Sequence, residues 1–84
     1  LSALTREMAA EFAQIGVRVN AVAPGEIETD MVSGDYEMLI PRIPMQRMGQ
    51  PKDVAATIFS LCDPEHFGYV TGEEIFITGG QHLY

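Results

Sequence analysis

Cysteine is nearly absent from this sequence. Cys62 stands alone, so no disulfide can close within the chain. That excludes a disulfide-stapled secreted scaffold and points to a reducing, cytoplasmic setting. Cations are scarce as well. Arg6, Arg18, Arg42, Arg47 and Lys52 are set against 12 acidic residues, giving a formal net charge of −7. They form no basic stripe, which argues against nucleic acid as a partner, since that affinity rests on clustered positive charge. No apolar run approaches the roughly 20 residues of a membrane-spanning helix, and no signal-peptide pattern is present, so no membrane partner is expected. Repeats and low-complexity stretches are also missing. His66 and His82 have no Cys, Asp or Glu at a convincing ligand spacing, so they read as surface or loop histidines and no metal is expected. Cys62 has no basic neighbour in sequence to lower its pKa, and reads as a small buried residue rather than a nucleophile.

What is present suffices for one small domain. The 84 residues are 46% apolar, and a domain of that size is marginal unless stapled or associated. Residues 1–15 carry Leu1, Leu4, Met8, Phe12 and Ile15 on one stripe at three- and four-residue steps, the period of an amphipathic helix. Ala3, Ala9, Ala10 and Ala13 offer small faces for close approach, and Gly16 is a suitable C-terminal stop. VRVNAVA, residues 17–23, reads as a strand buried on both sides near its exit. Prolines 24, 41 and 44 and glycines 25, 34 and 49 make residues 24–50 loop-rich. A short helix is predicted from about Asp35 to Ile40, capped near Ser33 or Asp35 and ended by Pro41. Pro51 opens the next helix, with Asp53 in its first turn and Val54, Ile58, Leu61 and Cys62 as its buried stripe. Asp63-Pro64 stops it, and EIFIT, residues 74–78, forms a second strand ended by Gly79-Gly80. The order helix–strand–loop–helix–strand predicts an α/β fold with two parallel strands joined by a right-handed crossover. Two parallel strands make a poor core alone, so this architecture reads as the edge of a larger sheet or one completed by a partner. The chain also starts on Leu inside a helical pattern, as a processed product or a piece of something longer would.

The stretch NAVAPGEIETDM, residues 20–31, is where chemistry is expected. A strand stops on Pro-Gly, and a threonine and several free backbone groups follow. Two readings stand at this point, the lip of a ligand site and an ordinary loop in which Thr29 acts as a cap. Glu26 and Glu28 alternate with Ile27 on an extended segment and read as a solvated face rather than a catalytic carboxylate pair. Asn20 reads as structural, holding backbone at the strand's exit.

VRVNAVAPGxIxT, RxGxPxDVA and TGxxIxxxGG occur here as a linked set in VRVNAVAPGEIET, RMGQPKDVA and TGEEIFITGG. With it, essentially the whole chain resembles the C-terminal part of the short-chain dehydrogenase/reductase family. The resemblance implies the C-terminal part of a Rossmann-like, doubly wound parallel sheet that binds NAD or NADP. It implies a parent enzyme that moves a hydride between nicotinamide and a small-molecule carbonyl or alcohol substrate. By carry-over, Pro24 and Gly25 shape a turn beside the nicotinamide, and the Ile27 backbone and the Thr29 hydroxyl match positions that hydrogen-bond its carboxamide. Residues 30–45, within a loop reaching to about residue 50, match the substrate-covering lid, where Met31, Met38, Leu39, Ile40 and Met45 favour a partly apolar substrate.

The family's glycine-rich turn and its Ser, Tyr and Lys match nothing here. Tyr36, Tyr69 and Tyr84 lack a lysine four residues on, so no catalytic residue is assigned and the isolated chain is expected to be inactive. Two positions depart from the family pattern, with Thr78 where Asp is common and Cys62 where Ser is frequent. Partners implied are further copies of the chain, in a homo-oligomer, or the upstream part of the same protein. The alternative is a truncated stand-alone oligomerisation or interaction module. Cofactor preference and substrate identity rest on regions outside these motifs.

Overall fold

The structure is a computed structural model that describes residues 2–29 and 36–83. Helix α1 (Ser2–Phe12) runs into a 3-10 turn at Ala13–Ile15, and Gly16 closes it in the left-handed region at φ 78°, as its position after the periodic run predicts. The first strand, β1 (Ala21–Pro24), starts later than the apolar alternation suggests and runs one residue further. Residues 18–20 are held by one backbone bond, from the Gly72 amide to the Val19 carbonyl at 2.7 Å, and otherwise by side chains. The Val19 amide donates to Thr71 Oγ1 at 3.0 Å. Asn20 Nδ2 donates to the Val70 carbonyl at 3.1 Å, and the Glu73 amide donates to Asn20 Oδ1 at 3.0 Å. Asn20 is therefore structural, as expected, but it works at the strand's entry rather than its exit.

β1 pairs with β2 (Glu74–Ile77). The Ala21 amide donates to Glu73 O and the Gly25 amide to Ile77 O, so register advances in the same sense on both strands and the pair is parallel, as the element order requires. Residues 21 and 25 direct their amides at β2, and alternation turns the position of Pro24 away from it. Proline's missing N–H therefore costs the ladder nothing.

Between the strands lie α2 (Tyr36–Leu39), α3 (Pro51–Leu61) and α4 (Pro64–Phe67). Pro41 does not end α2 as predicted. The helix stops at Leu39, and Pro41 sits in the first positions of a 3-10 turn, Ile40–Arg42, where a missing N–H is tolerated. The predicted caps Ser33 and Asp35 lie outside the described residues. Helix α3 begins on Pro51 as expected. Asp53 reaches back so that the Gln50 amide donates to its Oδ2 at 2.8 Å, one half of a capping box. Asp63-Pro64 does more than stop α3. The Asp63 carboxylate accepts from the Glu65 amide at 2.9 Å and starts α4, with Pro64 in its first turn.

The chain divides into two compact units, Leu1–Val22 with Ile58–Ile75, and Ala23–Thr57 with Phe76–Tyr84. In the first, the buried residues are Thr5, Ala9 and Leu61. Ala9 lies against the turn at Gly72, where an added Cβ would come within 3.4 Å of its methyl. In the second, Ile43 and Met48 are buried. The stripe on α1 is not the buried face of this chain. Leu4 and Ile15 are 56% and 71% exposed, and Met8 and Phe12 are exposed too. Ile58 and Cys62 are likewise exposed, leaving Leu61 as the buried member of the α3 stripe and Val54 half-buried. An amphipathic period states that a face is apolar without stating what covers it.

Two expectations follow. Asn20→Ala should remove its bonds to Val70 O and Glu73 N, leaving Val70 O only the longer Arg18 contact at 3.4 Å, and cost about 1 kcal/mol in a urea denaturation series. Both cap carboxylates titrate below the ordinary 3.8, Asp53 through the Gln50 amide and then Arg47, Asp63 through His66 and then the Glu65 amide. A depressed carboxylate stabilises fully above its unfolded pKa and loses that contribution as pH falls through the folded one. Asp53→Asn with Asp63→Asn should therefore flatten the acid side of the stability profile below about pH 4, read from thermal midpoints.

Candidate functional site

The segment after β1 is built by close backbone approach. The Gly25 amide donates to Ile77 O at 3.0 Å, and a Cβ added at Gly25 would lie 3.0–3.1 Å from Thr78 Cβ, Cα and Cγ2. The glycine lets its own chain approach closely, since a larger residue would press on Thr78, a role that the Pro-Gly signal alone did not reveal. Thr78, the position that departs from the family pattern, thus sets the floor of the turn. Its hydroxyl pairs with His82 Nδ1 at 2.6 Å, and the His82 ring stacks on Phe76 with centroids 4.5 Å apart.

Two residues on, Ile27 forms an isolated parallel bridge with Gly49. The Gly49 amide donates to Glu26 O at 2.9 Å and the Glu28 amide to Gly49 O at 2.8 Å. In such a bridge the flanking residues supply the bonds, so Ile27's own N–H and C=O are directed away from Gly49. Those two groups make no hydrogen bond among the described residues. A Cβ on Gly49 would fall 2.6 Å from Ile27 Cδ1, so a larger residue there would push the end of the Ile27 side chain aside. The sequence places Gly49 within RMGQP, but nothing in its spacing indicates that it faces Ile27.

Glu28 is not on a solvated face. Both Glu26 and Glu28 are half-buried, and Gln50 Nε2 donates to Glu28 Oε2 at 2.7 Å. Gln50 belongs in turn to the cap of α3. Arg47 Nη1 lies 3.1 Å from Asp53 Oδ2 and also donates to Met48 O at 3.1 Å. This chain of contacts was missed by sequence reasoning. Its signal was the Arg-x-x-Gln-x-x-Asp spacing of three, which puts Arg47, Gln50 and Asp53 around one helix start.

Thr29 is exposed at the end of the segment. Its carbonyl accepts from the Tyr36 hydroxyl at 3.0 Å, and its residue lines a cavity of about 420 Å³ with Glu28, Gln50 and Pro51. Pro24, the last residue of β1, is exposed, and Gly25 and Ile27 beyond it are half-buried; with Thr29 the four predicted cofactor residues run from the carboxyl end of β1 outward. That is where ligands sit in open α/β sheets. Of the lid residues, Met38 is 75% exposed and Met45 is exposed. Leu39 and Ile40 are half-buried, and Ile40 shares a cavity with Glu28, Tyr36 and Met48. Met31 lies outside the described residues. No helix among the described residues is long and apolar enough to cross a membrane.

Comparison with known proteins gives one consistent answer. A family profile described as enoyl-(acyl carrier protein) reductase matches residues 1–82. The chain is 54% identical to protein FixR of Bradyrhizobium diazoefficiens, over 99% of this chain and 30% of that protein. It is 39% identical to the 3-oxoacyl-[acyl-carrier-protein] reductase FabG of Vibrio harveyi, over 94% of this chain and 34% of that one. Among solved structures it superposes on ElxO with NADP bound, at TM-score 0.87 and 32% identity, covering 99% of this chain and 36% of that one. A short chain dehydrogenase from Bacillus anthracis superposes at TM-score 0.86 and 36% identity, over 99% and 34%. The chain thus spans about a third of the length of these relatives. With its parallel α/β pair, its motif set and a profile match over nearly its whole length, the chain belongs to the short-chain dehydrogenase/reductase family.

Proposed function

We propose that this chain forms the nicotinamide-side loop and substrate lid of an NAD(P)-dependent oxidoreductase acting on a carbonyl or alcohol, as the C-terminal part of that enzyme's fold. The observation that carries this reading is the Ile27–Gly49 bridge, which leaves the Ile27 N–H and C=O turned outward beyond β1. A carboxamide presents one carbonyl acceptor and an NH₂ donor pair. An N–H, a C=O and the Thr29 hydroxyl two residues on are the complementary set. Bound NAD(P) would supply the hydride chemistry. The chain's own residues would hold and orient: Ile27 and Thr29 on the carboxamide, Pro24 and Gly25 shaping the approach. Met38, Leu39 and Ile40 contribute apolar surface to the lid, which suits a substrate with an apolar portion. The acid/base residues of the family reaction have no counterpart among Tyr36, Tyr69 and Tyr84, because Ile40 and Glu73 stand where a lysine would follow the first two.

A second reading has its own observation. Leu4, Met8, Phe12 and Ile15 present an exposed apolar stripe along α1 and the turn after it, as a module built for association would. Both readings call for a partner on that face, another copy or the rest of an enzyme fold.

The purified 84-residue chain, given NADH or NADPH and a panel of ketones, should show no turnover, and measurable oxidation of the cofactor would overturn the assignment of the acid/base groups elsewhere. In the active enzyme that carries this chain, Thr29→Val keeps shape and removes the hydroxyl. Its KM for the cofactor should rise about fivefold, the worth of one neutral hydrogen bond near 1 kcal/mol. An unchanged KM would remove Thr29 from the site. Native mass spectrometry separates the two readings, since an interaction module forms multiples of 9.2 kDa and an enzyme segment travels with a second polypeptide.

A further inference from the structure

We infer that Glu28 and Gln50 form a positioning pair that sets the Ile27–Thr29 backbone for the nicotinamide. The inference rests on the cofactor reading above and adds to it two residues that act through the backbone between Ile27 and Thr29. Four tethers hold the loop after Gly25, the last being the Tyr36 hydroxyl on the Thr29 carbonyl at 3.0 Å. Two are backbone bonds to Gly49, at Glu26 O and Glu28 N. The third is the side-chain bond from Gln50 Nε2 to Glu28 Oε2 at 2.7 Å, and it is the last one before Thr29. Residue 28 lies between the two groups assigned to the carboxamide, so its torsions decide how Ile27 C=O and the Thr29 hydroxyl are aimed together. The backbone bridge fixes one side of residue 28, and the Gln50 bond fixes its side chain.

The anchor is itself rigid. The Gln50 amide donates to Asp53 Oδ2 at 2.8 Å and its carbonyl accepts from the Asp53 amide at 2.8 Å, at the start of α3. A carboxylate can only accept, so the Gln50 NH₂ must face Glu28. The bond is charge-assisted and half-buried, which makes it stronger than a neutral surface contact. A residue that merely covered the loop would need neither this donor nor this acceptor.

The test uses the active enzyme that carries this chain and compares two ligands, NAD(P)H and the corresponding ADP-ribose (or its 2′-phosphate), which lacks the nicotinamide. Gln50→Glu keeps the shape and sets two carboxylates against each other; Glu28→Ala removes the acceptor. Each should weaken NAD(P)H about five- to tenfold while leaving ADP-ribose affinity unchanged. Glu28→Gln keeps an acceptor oxygen and should restore most of the NAD(P)H affinity. The double variant Glu28→Ala/Gln50→Ala should be no worse than either single alanine variant, because the pair acts as one unit. Equal weakening of both ligands would overturn the inference by showing a merely structural role, and so would additive losses or a silent Gln50→Glu. If Thr29→Val weakens NAD(P)H in the same assay while the pair variants do not, the cofactor reading stands and the positioning role fails. If the unsubstituted enzyme prefers neither dinucleotide over ADP-ribose and Thr29→Val is silent, the cofactor reading fails and takes the inference with it.

Discussion

Two backbone hydrogen bonds, each under 3 Å, connect Gly49 to Glu26 and Glu28, and the candidate site depends on them. They turn a loop that sequence leaves open into one with a defined inner and outer edge. The inner edge is spent on Gly49. The outer edge, at Ile27, keeps its N–H and C=O turned away from Gly49. A Cβ at position 49 would come 2.6 Å from Ile27 Cδ1, so any other residue there would displace the end of the Ile27 side chain.

The same logic operates one step earlier, at the exit from β1. Parallel pairing aims alternate amides at β2, so Pro24 falls where an amide is not required and Gly25 where one is. Gly25 then packs so close to Thr78 that an added Cβ would lie about 3 Å from it. A polar, β-branched residue at 78 gives the turn a methyl to rest on and a hydroxyl that engages His82. The common family aspartate would place a charge against the same turn, so the surroundings of Thr78 have a different chemistry here.

Elements with strong local punctuation were legible in the sequence. Gly16 closes the first helix and Pro51 opens the third as their residue types dictate. Elements whose partners are side chains were not. Val17–Asn20 alternates like a strand, yet Thr71 and Asn20 side chains supply much of its hydrogen bonding beside the Gly72–Val19 backbone bond, which no periodicity encodes. Helix α4 was readable in principle, because Asp-Pro-Glu is a cap, a first-turn proline and a first-turn acid in order, but it was read as a stop signal alone. In the candidate site, motif resemblance gave Pro24, Gly25, Ile27 and Thr29. The support under them, Gly49, Gln50 and Thr78, is 20 or more residues distant in sequence, and single-sequence reasoning cannot see such pairs.

Burial was the least legible property, and the reason bears on how the site is maintained. Among the described residues, the buried apolar side chains are Ala9, Ile43, Met48 and Leu61. Leu4, Ile15, Ile58, Phe59 and Tyr69 lie exposed, which fits a chain about a third the length of its relatives. Apolar packing is non-directional and needs whatever surface eventually covers it. Hydrogen bonds are directional and short-ranged, and here they close locally, from Gly25 to Ile77, from Glu26 and Glu28 to Gly49, and from Gln50 to Glu28. The hydrogen bonds that aim the loop are thus wholly contained in this chain.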